Sequence, residues 1–190
     1  MTTEQPSNTT RKRLIIGGAV AAVAAAGVIG VMSVNAQEPD PGAKTPVAAD
    51  VAGGNLAQRT HLTIAAATKA AQAALDAAVK ENQHVTVAVV DRDGNTVVTL
   101  RGDGAGPQSY TSAQQKAFTA VSWNAPTSVL AKRLDNAPHL ADIDGTLFLG
   151  GGAPVTAKGG APIAGIGVAG APSGDQDEKF AQAGVAALGN

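Results

Sequence analysis

Three histidines, His61, His84 and His139, are the strongest neutral metal ligands this chain offers beyond its N-terminal segment. There is no cysteine, and both methionines, Met1 and Met32, fall within that segment. Thiolate nucleophiles, disulfides and thiolate metal sites are therefore excluded, and a metal would be met by nitrogen or oxygen. His61 stands in Thr60-His61-Leu62-Thr63, where a flexible stretch meets a helix start. Taken alone it reads as an exposed first-turn histidine, and a ligand role competes with that reading. His84 begins a β-branched run and reads as structural. His139, after Pro138 on a surface turn, is the reserve ligand.

The other chemically suggestive groups have plainer readings. Asp91, Arg92 and Asp93 gather at a hairpin end, where carboxylates commonly hydrogen-bond their own backbone rather than act as an acid/base pair. Gly150-Gly151-Gly152 lacks the helix N-terminus that a phosphate cradle needs, because Pro154, Val155 and Thr156 continue as strand. It reads as a tight turn near a packed helix, and Gly165 and Gly167 likewise read as space for a neighbouring element. No serine sits in a nucleophile elbow, so a hydrolase finds no support. Thr146 reads as a cap, since a threonine hydroxyl is a weak iron ligand. Trp123, Phe118 and Phe148 offer stacking surfaces or core contacts. With 14 basic and 15 acidic residues and a net charge of −1 there is no basic stripe after the N-terminal segment, and nucleic acid is excluded as a partner.

Stepping outward, residues 1–36 have the layout of an export signal. Arg11, Lys12 and Arg13 precede an uncharged run from Leu14 to Val34, and Val34 and Ala36 take the small-residue positions of a cleavage site. The run is also long enough to cross a hydrocarbon core of roughly 30 Å, so a membrane anchor is the alternative. The basic cluster is a loose twin-arginine pattern and leaves the export route open, while the lack of cysteine argues against a lipoprotein. Localisation is thus expected to be secreted or, alternatively, anchored and extracytoplasmic. Residues 37–58, with Pro39, Pro41 and Pro46, read as a flexible tether.

Residues 59–190 form the domain. Leu62, Ile64, Ala67, Ala71, Ala74, Leu75 and Ala78 recur at helical spacing after a Thr63 cap. His84–Val90 and Thr96–Leu100 flank Asp93-Gly94-Asn95 as a hairpin. Ser109 opens a second helix, Thr127 to Leu134 forms a third behind Pro126, Leu147 to Ala169 reads as short strands, and Ser173 to Leu188 closes as a helix capped by Ser173 or Asp175, with Asp175, Asp177 and Glu178 in its first turns. The order α, ββ, α, α, βββ, α predicts an α+β fold: an antiparallel sheet of about five strands with flanking helices, not a doubly wound parallel one.

These segments, together with the runs HLTIAAATKAAQAALDAA from His61, VVDRDGNTVVTLRGDGAGPQSYTSA from Val89, KAFTAVSWNAPTSVLAKRL from Lys116, GTLFLGGGAPV from Gly145 and GAPIAGIGVAGAPSGDQDE from Gly160, resemble the secreted HbpS and GlcG-like haem-binding family. The resemblance spans nearly all of residues 59–190. It implies a profilin-like fold, haem as cofactor, His61 as a ligand to its iron, and Thr146 against the iron from the other face. It further implies homo-oligomers, octamers in the secreted type, so that His61 and Thr146 could come from different subunits. The extracytoplasmic part of a sensor histidine kinase is the implied partner, with redox or haem sensing as the role. Haem degradation or peroxide consumption is the enzymatic alternative. In one respect the chain departs from its relatives: where they carry an iron-binding acidic pair at the start of the second helix, it has Thr111 and Gln114, which bring no negative charge for a hard cation.

Overall fold

The computed structural model describes residues 49–189, in the order α1 (Ile64–Lys80), β1 (Thr86–Asp91), β2 (Thr96–Arg101), α2 (Pro107–Trp123), α3 (Thr127–Ala131), β3 (Gly152–Thr156), β4 (Pro162–Ala169) and α4 (Gly174–Ala186). Short 3₁₀ turns occupy Gly53–Asn55, Lys132–Asp135 and Pro138–Asp142. The expected export segment, residues 1–36, and residues 37–48 of the expected tether lie outside the described residues. The rest of the tether, 49–58, is exposed and carries only the Gly53–Asn55 turn. Among the described residues no helix is long and apolar enough to cross a membrane.

Both ends of the sequence-predicted helical pattern are capped as their residue types require. The Thr63 hydroxyl accepts from the Ala66 N–H at 3.2 Å, and Ser173 accepts from Gln176 N–H at the same distance. Along α1 the buried stripe is almost entirely alanine: Ala67, Ala70, Ala71, Ala74 and Ala78. With only methyl groups between them, α1 and α4 approach until a Cβ on Gly184 would lie 2.8 Å from the Ala70 carbonyl.

The four strands form one antiparallel sheet in the order β2-β1-β4-β3. Val87 lies opposite Leu100 and Val168, and Val89 opposite Val98 and Ile166. Period-two alternation turns this set to one face, where it packs with the α1 stripe, Phe180 and Ala181 as the main core. The intervening residues, Ala88 opposite Gly167 and Val90 opposite Gly165, turn to the other face and receive α2. Pro154 is tolerated in β3 because that strand is an edge, paired with β4 alone.

The expected fold class holds, with four strands in place of about five. No strand forms over Leu147–Gly151, and the backbone donors at its two ends turn to side chains. The Leu147 N–H donates to Thr119 Oγ1 at 2.8 Å, and the Gly151 N–H points to Glu178 Oε2 at 3.4 Å. The third helix is also shorter than expected: α3 stops at Ala131 and tightens into 3₁₀. The second begins at Pro107 rather than Ser109, and Ser109 is instead buried in its first turn, bonded to Thr86 Oγ1 at 2.7 Å. Asp177 and Glu178 are not solvated first-turn acids. Asp177 accepts from Lys116 Nζ at 2.8 Å and from Ala171 N–H at 3.0 Å, and Lys116 also donates to the Val168 carbonyl at 3.0 Å. Burial pushes the Asp177 carboxyl up, against the pull of Lys116 and of the Ala171 and Gly170 amides. Glu178 accepts from the Ser128 N–H and hydroxyl at 2.9 and 2.6 Å, which ties α4 to the start of α3.

Candidate functional site

The turn between β1 and β2 organises the first half of the site. Asp91 Oδ1 accepts from the N–H groups of Asp93 and Asn95, both at 2.9 Å, and Gly94 adopts the positive φ of 88° that closes the turn. Burial pushes the Asp91 carboxyl up, but the Asn95 and Asp93 amides and the nearby His61 outweigh it and hold it below the usual carboxylate range. The expectation that this carboxylate serves its own backbone is met. With Asp91 occupied, Asp93 is free to face the chain entering α1. Its Oδ2 lies 3.5 Å from His61 Nε2, and its Oδ1 pairs with Arg59. His61 precedes the Thr63 cap, so it stands outside the helix, and its side chain is 39% exposed. A carboxylate behind one ring nitrogen is the usual companion of a metal-bound imidazole, fixing its orientation and raising its basicity.

Thr146 lies in the second half. Its hydroxyl donates to the Ile143 carbonyl at 2.7 Å, and its N–H donates to the same oxygen at 3.2 Å. The hydroxyl proton is therefore committed, and the lone pairs are what this oxygen has to offer a metal. The two halves meet at Phe118. A Cβ on Gly94 would lie 3.0 Å from Phe118 Cε2, and one on Gly145 would lie 3.9 Å from Cε1. One edge of the ring thus supports the turn carrying Asp93, and the other supports the turn carrying Thr146. The neighbouring Trp123 and Phe148 rings pack edge to face with centroids 5.2 Å apart. Ile143 and Leu149, on either side of Thr146, are 44% and 53% exposed, so a flat apolar ligand would find hydrocarbon there.

The other sequence candidates lie elsewhere. His84 is exposed, not buried as the start of a core strand: it precedes β1, and its Nδ1 lies 2.7 Å from the Asp103 carbonyl. His139 is exposed and pairs with Asp142 at 3.0 Å on the Pro138–Asp142 turn. Thr111 is exposed on α2 and Gln114 half-buried three residues on; neither carries a charge. Among the described residues, no group of three or more His, Cys, Asp or Glu is arranged to hold a metal ion. The glycines at 150–152 lie against Gly174, Lys116 and Asp177, a packing role as expected. Sequence reading missed Asp93 as the partner of His61 and Arg59 as its third member. It also missed Lys116, whose signal is a lysine set on the apolar stripe of α2 between Ala113 and Ala120.

The family description "Haem degrading protein HbpS-like" matches residues 62–186. This chain belongs to the HbpS-like family. Among solved structures, HbpS is 72% identical, with a TM-score of 0.73, over 75% of this chain and all of that one. A double mutant of HbpS from Streptomyces reticuli is 73% identical with the same TM-score, over 76% of this chain and all of the other. More distantly, PduOC, solved as a haem complex, is 28% identical with a TM-score of 0.62, over 67% of this chain and 95% of its own. The search of curated proteins gives no match. The four-stranded antiparallel sheet with flanking helices is thus the architecture of an HbpS-like domain.

Proposed function

We propose that this HbpS-like chain is an exported haem-binding protein in which His61 is the ligand to the haem iron and Thr146 lies against the iron's other face. The observation that carries the reading is the placement of His61: the imidazole stands exposed outside the helix, backed by the Asp93 carboxylate. The donor set fits the group, with one oriented imidazole, one hydroxyl with free lone pairs, and exposed hydrocarbon at Ile143 and Leu149. Bound there, haem would supply redox chemistry at iron, and the protein would supply ligation and control of access. Asp93, which backs His61, and Thr146 belong to separate turns that both rest on Phe118, and a haem lying between two copies of the chain would take His61 from one subunit and Thr146 from the other. Assembly and haem binding would then reinforce each other. The family resemblance adds to this reading an octameric assembly and an accessory role beside the outer domain of a sensor histidine kinase.

His61→Ala is expected to shift the Soret band and weaken haemin binding at least about tenfold, because no cysteine or mature-chain methionine can replace the imidazole. His84→Ala should leave the spectrum in place. Absorbance titration with haemin checks both, and an unchanged spectrum and affinity in His61→Ala would move the ligand to His139. The family description favours haem degradation as the second reading. Loss of the Soret band with iron release under a reductant would support it, whereas repeated redox cycling without loss would support binding alone. Export is part of the same proposal: the mature chain is expected to begin after Ala36, and mass spectrometry of exported protein that still begins near Met1 would replace secretion with anchoring.

A further inference from the structure

A cleft of about 370 Å³ opens directly beside the proposed ligand, within the range of small-molecule sites. Arg59, Thr60 and Arg92 line its polar side, and Ala157, Pro162 and Ile163 line its apolar side. Thr60 is the residue before His61, so cleft wall and imidazole are neighbours along the chain. Arg92 donates to the Pro162 carbonyl at 3.2 Å, and Arg59 donates to Asp93. Each guanidinium has five donors, so most of each fork is uncommitted. Asp91, the other nearby acid, is held by the amides of its own turn. Two guanidinium groups over a hydrocarbon floor are suited to an organic anion, with a carboxylate at the forks and carbon against Pro162 and Ile163. A carboxylate already occupies part of this arrangement, since Asp93 stands between the Arg59 guanidinium and the His61 imidazole. The Arg59 side chain in that pair is 58% exposed, and an exposed ion pair is weak enough for an incoming carboxylate to displace.

We infer that the Arg59–Arg92 cleft is a carboxylate subsite that receives the propionate groups of a haem ligated at His61. The inference rests on the haem reading above and adds the charged end of the ligand to it. It is tested by comparing haemin with its dimethyl ester, which keeps the iron and the ring but lacks both carboxylates. The native chain should bind haemin about tenfold more tightly than the ester. Arg92→Gln and Arg59→Gln should each lose most of that preference, weakening haemin while leaving the ester unchanged. The Soret maximum should hold in both variants because His61 is retained. Both arginines lie at the surface, so matching melting curves would confirm that the fold is intact. Haemin bound with native affinity by both variants, or haemin and ester weakened equally, would overturn the subsite while leaving ligation at His61 standing. Glutarate binding in the cleft with haemin affinity indifferent to both substitutions would assign it to free dicarboxylates and overturn the inference as well. A native chain that takes up no haemin at all would overturn it together with the haem reading.

Discussion

Lys116→Met is expected to destabilise the domain by about 3–5 kcal/mol, seen as a lower urea midpoint with an unchanged slope. Lys116 and Asp177 are 2% and 3% exposed, and their 2.8 Å contact is the only ionic compensation for taking an ammonium group out of water, beside its 3.0 Å bond to the Val168 carbonyl. Removing the lysine strands a buried carboxylate, and that residue is the costly one. Adding Asp177→Leu should recover much of the loss, because two apolar side chains of similar volume leave no charge behind. The Ala171 amide, which donates to Asp177, would then lose its partner and limit the recovery. A single substitution costing under about 1 kcal/mol would show that the pair is hydrated and does not clamp α2 to α4.

Gly167→Ala should cost about 3 kcal/mol, the upper end of what overpacking usually costs. A Cβ there would lie 2.0 Å from the Ala113 carbonyl and 2.5 Å from the Ala117 nitrogen, both backbone atoms of a helix that cannot swing aside as a side chain can. The helix would have to lift from the sheet, carrying Phe118 with it. Thermal melts of Gly167→Ala beside Gly53→Ala, a position with nothing within 4 Å, separate this clash from the general effect of adding a methyl group. Equal melting temperatures for the two would mean that α2 sits further from β4 than described.

Where the sequence was informative, the cause was local. The Thr63 and Ser173 caps, the Asp93-Gly94 turn and the alanine stripe of α1 are each decided by residues within a few positions of one another, and all appear as expected. The misses came from partners far apart in the chain. Leu147 reads as strand until its N–H is assigned to Thr119, 28 residues earlier. Asp177 and Glu178 read as favourable first-turn acids until they meet Lys116 and Ser128, 61 and 50 residues away. His84 begins a β-branched run, yet the strand starts two residues later and leaves the ring outside. His61 was legible as a candidate from its residue type and its run, whereas Asp93, which orients it, is 32 positions away and is brought near only by the hairpin.

The Thr63 cap has a kinetic meaning. Helical hydrogen bonding begins at its carbonyl, which accepts from the Ala67 N–H at 2.9 Å, so the chain at His61 can shift without breaking a single turn of α1, and the restraint on the ring is one exposed carboxylate. With His61 as the proposed ligand, capture and release at that imidazole would be governed by side-chain and loop motion on the nanosecond-to-microsecond scale, not by the far slower opening of the domain. A ligand could exchange many times within the lifetime of a single folded molecule.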